Sequence, residues 1–370
     1  MKKLLLTGAA CVVMAAMSGC ANVGADAVRS TRPQYNEAIK QTNDQDLLLN
    51  LLRVRYVESM YFMSVEKVAL TREVDQNYGL TGNKLSVENR TAYPGTVSSS
   101  NSALANAVTR GLTLPVSVAV DEKPTIFYAP IEGEKFVRQI LTPMSPDKLL
   151  LQVKSGWSIA KVFGLGVEHL NGLLNDPDLS DDSYLKFRQA VTLLERLHKK
   201  HMMSFSTVQS TSKDSNGNDH MVLHIQDTTM PEFVQLARLL ALDPGTQDFK
   251  LCNAATYVDD KTIAFSTRSL ESAIYYLSHG VDLTSFESVD RATFLNGEGW
   301  KSFQDDVFRV SFSQEPPRNA SVAVNYRGGW FYIADQDKNT KATFVLLTQL
   351  LSLHSVQGAP GPNFSFSIGQ

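Results

Sequence analysis

The chain has 370 residues, is 43% hydrophobic and 20% charged, and carries a formal net charge of −3. That composition supplies apolar material for one large domain or two ordinary ones and excludes a wholly disordered chain. A near-neutral balance without a long Lys/Arg run excludes a nucleic-acid binder, which needs a basic face against phosphate.

Residues 1–19 have the form of a signal peptide: Lys2 and Lys3, an apolar run from Leu4 to Met17, then Ser18-Gly19. The run is too short to span a bilayer comfortably, and the small residues suit a peptidase. A plain secretory cut near Gly19 or Ala21 is one outcome. The other is lipidation, because small residues directly before Cys20 resemble the lipobox of bacterial lipoproteins, with Met17 where Leu is usual. In that family the Cys carries three acyl chains, enough for stable anchoring. By resemblance to enterobacterial sorting rules, Ala21 in place of Asp directs the protein to the outer membrane, on its periplasmic face. The covalent lipid on Cys20 is the only bound group expected, with no cofactor. Cys11 leaves with the signal and Cys20 takes lipid, so Cys252 has no partner for a disulfide and reads as an inert core thiol.

Residues 20–33 read as a lipidated tether, 34–200 as an N-terminal α+β part and 201–370 as a C-terminal α+β part, or the two as one continuous domain. A helix is expected over 34–57, interrupted or recapped near Asn43-Asp44. Leu48, Leu51 and Arg55 share its apolar stripe, so Arg55 must snorkel or find a carboxylate as a buried charge. A strand follows at 61–74, "LSVENRTAYP" pairs with it, and 95–107 is a loop. Strands come at 112–120 and 124–129, then a helix in "EGEKFVRQIL" and another in "SPDKLLLQVKSG", capped by Ser145 and stopped at Gly156. Residues 157–174 read as an apolar helix.

The clearest helix spans 181–200, with Phe187, Val191 and Leu194 on its buried face. A hairpin joins 202–209 to 220–226. Thr229 and Glu232 form a capping box for a helix at 230–241. Strands at 249–257 and 262–267 precede a helix at 269–279 that ends on Gly280. The strands "VFRVSF", "ASVAVNY" and "WFYIAD" follow, the last two turning at Arg327-Gly328-Gly329. Asp337 or Asn339 caps a helix at 340–354, and "NFSFSI" returns as a closing strand. Strands and helices mix without strict alternation, which gives an α+β fold of antiparallel sheets and hairpins packed on amphipathic helices.

No catalytic set emerges. Ser64-x-x-Lys67 and Ser145-x-x-Lys148 match a penicillin-binding nucleophile motif, but its K-T-G and S-D-N partners are missing. The pairs His198/His201 and His220/His224 supply half a zinc site at most. Asp335, Asp337 and Asn339 begin like a calcium loop, yet Thr340 and Leu346 stand where Gly and Glu are required. Acidic residues at 176, 178, 181 and 182 are a looser option, and helix capping explains both runs. Tyr326, Arg327, Trp330 and Tyr332 crowd one hairpin and are the candidate partner-binding residues, being of the types that dominate interface hot spots.

Two long stretches, "YNEAIKQTNDQDLLLNLLRVRY" and "VAVNYRGGWFYIADQDKNTKATFVLLTQLLSL", resemble an uncharacterised family of proteobacterial lipoproteins. "IEGEKFVRQILTP" and "TRSLESAIYYLSHGV" between them strengthen the resemblance, which Asn325 and Thr340 break, where the family carries Arg and Ser. It implies a lipoprotein and no reaction. The expected function is therefore a non-enzymatic binding or assembly factor of the cell envelope with an envelope protein partner. The alternatives are a glycan or peptidoglycan hydrolase using carboxylates such as Glu132 and Glu134, and a lipid or small-molecule carrier.

Overall fold

The computed structural model describes residues 23–78, 116–177, 181–208, 220–282, 298–355 and 363–369. Cys20, Ala21, "LSVENRTAYP" and the 95–107 stretch lie outside them. The elements begin with α1 (Val23–Arg55), β1 (Met63–Tyr78), β2 (Val116–Pro130), α2 (Glu134–Leu141), α3 (Pro146–Lys154), α4 (Ile159–Gly166), β3 (Val167–Leu170) and β4 (Leu173–Leu174). Next come α5 (Asp181–Lys199), β5 (Met203–Val208), β6 (His220–Ile225), α6 (Pro231–Leu240), β7 (Asp248–Cys252), β8 (Thr262–Thr267) and α7 (Leu270–Ser278). The chain ends with α8 (Glu298–Asp306), β9 (Ser311–Ser313), β10 (Ala320–Tyr326), β11 (Gly329–Ala334), α9 (Lys338–Ser355) and β12 (Asn363–Gly369).

Two compact units divide the chain, one of Met1–Ser30, Ser64–Ala129 and Pro360–Gln370, the other of Thr31–Met63 and Pro130–Ala359. In the first, β12, β1 and β2 form a three-stranded sheet in that order, with β12 parallel to β1 from Lys67↔Asn363 to Glu73↔Gly369. The two strands expected at 112–120 and 124–129 are one, running through Pro124. An edge strand tolerates a proline because its outward N–H has no ladder partner to lose.

The second unit holds a six-stranded sheet ordered β4-β3-β8-β7-β6-β5 and a three-stranded sheet ordered β10-β11-β9. The larger sheet draws β3 and β4 from before residue 200 and its other strands from after it. Its pairs are antiparallel except β7 with β8. This is the α+β fold the mixed element order implies.

The helix expected over 157–174 stops at Gly166, and β3 and β4 follow it. A short apolar run suits a buried strand as well as a helix. Pairing with β8 decides the matter, and Asn171 and Gly172, with φ of 45° and 83°, make the two-residue turn that Asn-Gly favours. Ser145 stands at the N-terminus of α3 without capping it through its side chain. The capping box at α6 is also absent: Thr229 bonds Asp227 in a local turn, and Glu232 reaches Lys200 at 2.5 Å. "VFRVSF" contributes only a bridge from Val310 to Val281 and the short β9. By contrast, α1 runs through Asn43 and Asp44 without a break. Asp337 caps α9, its carboxylate accepting from the Thr340 N–H at 2.9 Å.

The core is built around α5, which packs on α4, α6 and α8. Tyr184, Phe187, Val191 and Leu194 make its buried stripe, each contributing about 2 kcal/mol through apolar area removed from water. Glu195 on the same helix reaches the start of α4, accepting from the Ser158 hydroxyl at 3.0 Å and the Ala160 N–H at 3.3 Å.

Lys161 on α4 is held in a different way. Its Nζ donates to the Asp306 carbonyl at the end of α8 (2.7 Å) and to the Asn339 carbonyl (3.4 Å). Burial, reinforced by the nearby Arg188 charge, lowers its pKa from 10.5 to about 8. The unfolded chain then keeps this proton to higher pH than the folded one, so the group adds stability as pH rises from about 8 to 10.5. The gain is at most about 3 kcal/mol. Urea titrations at pH 7.5 and 10 are expected to show wild type gaining on Lys161→Met over this interval; parallel pH profiles would refute the assignment.

Candidate functional site

An apolar groove of about 750 Å³ opens on the second unit. One wall is α2, which offers Phe136 and Ile140 to the floor and Val137 and Leu141 to the rim. Glu271 and Tyr275, one turn apart on α7, form the facing wall. The end of α1 and the loop through residues 57–62 close the side.

Exposure sets this groove apart from ordinary surface. Val57 is 83% exposed, Tyr275 58%, Leu141 53%, and Val137 and Tyr61 47% each. Single exposed apolar side chains are common; here five line one depression. Val57 also occupies the left-handed region, with φ of 61°. Helix ends prefer Gly or Asn there, and a β-branched residue costs about 1–2 kcal/mol. The sequence accepts that cost at the residue that projects furthest into solvent on the rim.

The loop is fixed from within. Asn50 is fully buried on α1; its side-chain amide donates to the Tyr61 carbonyl (2.9 Å) and its oxygen accepts from the Tyr61 N–H (2.9 Å). The Ile131 N–H donates to the Phe62 carbonyl at 2.9 Å, holding the two flanking segments together. Phe62 packs edge-on against Phe136, ring centroids 5.6 Å apart. This polar apolar pairing, a buried amide behind an aromatic floor, gives the groove a preformed shape.

The candidate residues of the aromatic hairpin separate on folding. Arg327 and Gly328 form its two-residue turn, with φ of 50° and 83°. The Arg327 guanidinium lies 4.4 Å over the Tyr56 ring and donates to Glu58 at 2.9 Å. The Tyr326 hydroxyl and Arg327 beside Glu58 hold its carboxyl below the usual range, while burial and Glu58 push the Tyr326 hydroxyl up. Tyr326 follows the core face of its strand with Val324 and Phe331. Trp330 and Tyr332 alternate to the other face and are half-buried. Trp330 lines a separate cleft of about 400 Å³ with Lys40, Gln41, Asp44, Gln45 and Arg318. The four residues therefore do not share one face. Arg327 meets the groove through Glu58 on its rim.

Arg55 is 7% exposed, so it is buried beside Leu48 and Leu51 rather than snorkelling to water. Cys252 ends β7 half-buried, and burial raises its thiol pKa. Glu134 pairs with Arg138 one turn along α2 at 2.6 Å, and Glu132 stands on the groove. His224 pairs with Asp248 at 2.7 Å and Asp335 with Lys341 at 2.5 Å. Among the described residues, no group of three or more His, Cys, Asp or Glu could hold a metal ion. Among the same residues, no helix is long and apolar enough to cross a membrane.

The sequence hid the groove, although one signal was present. In "EKFVRQIL", Phe136, Val137, Ile140 and Leu141 cover an arc of about 140° at 100° per residue, wider than the usual core-facing stripe. One half of that arc is buried and the other is left on the surface. Comparison with protein-family models, with curated proteins and with solved structures finds no match to this chain.

Proposed function

We propose that the chain is a lipoprotein of the bacterial outer membrane, anchored through Cys20 on the periplasmic face, whose folded part binds a protein of the cell envelope without catalysing a reaction. The signal-like run before Cys20, Ala21 after it, and the resemblance to uncharacterised proteobacterial lipoproteins support the anchor. The observation that carries the binding role is the groove, where five strongly exposed apolar side chains line one preformed depression.

Cys20→Ala is expected to move essentially all of the protein from the membrane to the soluble fraction and to remove the mass of the acyl chains. Unchanged fractionation together with an unlipidated wild type would overturn the anchor. For binding, a photoreactive residue at Leu141 is expected to give a protein adduct in intact cells. The same residue at Val258, exposed but away from the groove, is the control. Equal labelling from both positions would overturn the binding role.

A further inference from the structure

We infer that the groove receives a cationic amphipathic helix of its protein partner, with the apolar face of that helix on Val137, Leu141 and Tyr275 and its Lys or Arg side chains against Glu132 and Glu271. The inference rests on the binding role proposed above and names the chemistry of the partner.

Charge gives the first argument. The sixteen described lining residues include three carboxylates, Glu58, Glu132 and Glu271, and no Lys, Arg or His. Glu58 is already engaged by Arg327. The carboxylates of Glu132 and Glu271 make no hydrogen bond or ion pair with any described residue. Two uncompensated carboxylates beside an apolar surface attract cations and repel anionic lipid headgroups, so a membrane surface is the wrong occupant.

Shape gives the second. The lining residues belong to the helices α1, α2 and α7 and to the connecting segments around 57–62 and 131–133. None of the described lining residues belongs to a strand, so they offer no sheet edge for a peptide to extend. What the walls offer are side-chain rows at helical spacing, Val137 with Leu141 and Glu271 with Tyr275. A third helix meets such rows through apolar residues at i, i+3, i+4 and i+7, with its polar flanks above the rim.

The test maps the adduct formed at Leu141 in cells carrying the full chain. The expected crosslinked segment has apolar residues at helical period flanked by Lys or Arg. Glu132→Lys with Glu271→Lys is expected to cut the adduct yield at least tenfold, and Glu132→Gln with Glu271→Gln by a smaller factor. Because Glu271 lies in the first turn of α7, thermal unfolding of each variant checks the fold; the glutamine pair keeps the test decisive if the lysine pair unfolds. A protein adduct on an acidic or non-helical segment, or a yield indifferent to both pairs, overturns this inference and leaves the binding role standing. An adduct to lipid or to a second copy of this chain, or no adduct, overturns both.

Discussion

Arg268→Met is expected to lower the free energy of unfolding by about 4 kcal/mol. Arg268 follows β8 and is 4% exposed. Its guanidinium donates to the carbonyls of Val167 (2.9 Å) and Leu165 (3.4 Å) and to that of Asn175, and it lies 3.8 Å over the Tyr276 ring. Asn175 completes the network, donating to the carbonyls of Gly164 (2.9 Å) and Val167 (2.7 Å) and accepting from the Tyr276 hydroxyl (3.0 Å). The carbonyls served by Arg268 lie where α4 gives way to β3 and just after β4, where helix and strand bonding change over. A methionine fills the volume but donates nothing: the Val167 carbonyl keeps the Asn175 amide, while the Leu165 and Asn175 carbonyls lose the guanidinium that serves them. Arg268→Lys is expected to lose most of the same stability, because one ammonium cannot reproduce a planar fork. Arg318→Met, at an exposed site, serves as the control and should change stability by less than about 0.5 kcal/mol. Urea denaturation measures all three. A loss below about 1 kcal/mol for Arg268→Met would show that water entering the adjoining cleft of about 330 Å³ takes over the carbonyls.

Gly280→Ala should cost about 3 kcal/mol for a steric reason. The glycine sits two residues after α7, where the sequence places a helix-ending glycine. Its φ is not in the left-handed region, so the usual preference for glycine at a helix end does not explain it. Space does. A Cβ there would overlap the Phe308 carbonyl oxygen and lie 3.1 Å from the Phe303 ring. The backbone cannot easily yield, because the Val310 N–H donates to the Gly280 carbonyl (2.9 Å) and the Asp282 N–H to the Val310 carbonyl (2.8 Å). The expected readout is a lower urea midpoint with an unchanged m-value. A loss under about 1 kcal/mol would mean that the 308–310 segment shifts without breaking those bonds.

Much of the fold was legible in the sequence wherever local patterning and tertiary packing agree. The 181–200 helix, the 220–226 strand and the Tyr326–Gly329 turn follow from hydrophobic period and turn residues alone, and the structure has them within a residue or two. The misreadings lie where a long-range partner outweighs the local signal. Val167–Leu170 is a strand because β8 is beside it. Thr229 is the local exception: Asp227, two residues earlier, takes its hydroxyl, and Met230 stands at the N-cap. Both parallel pairings, β1 with β12 and β7 with β8, join strands that no turn connects, so spacing along the chain carries no trace of them.

The candidate site divides in the same way. The sequence by itself determined the N-terminal pattern around Cys20 and Ala21, the α+β class and the hairpin that carries Tyr326, Arg327, Trp330 and Tyr332, because each is written in adjacent residues. Strand alternation alone separates Trp330 from Phe331, and the structure keeps that alternation. Only the tertiary structure decided that Val57, Tyr61, Leu141 and Tyr275 stay exposed around one groove, that Arg327 is taken up by Glu58, and that Glu132 and Glu271 meet no cation among the described residues. Burial and pairing are properties of neighbours in space, and those neighbours come from segments far apart along the chain.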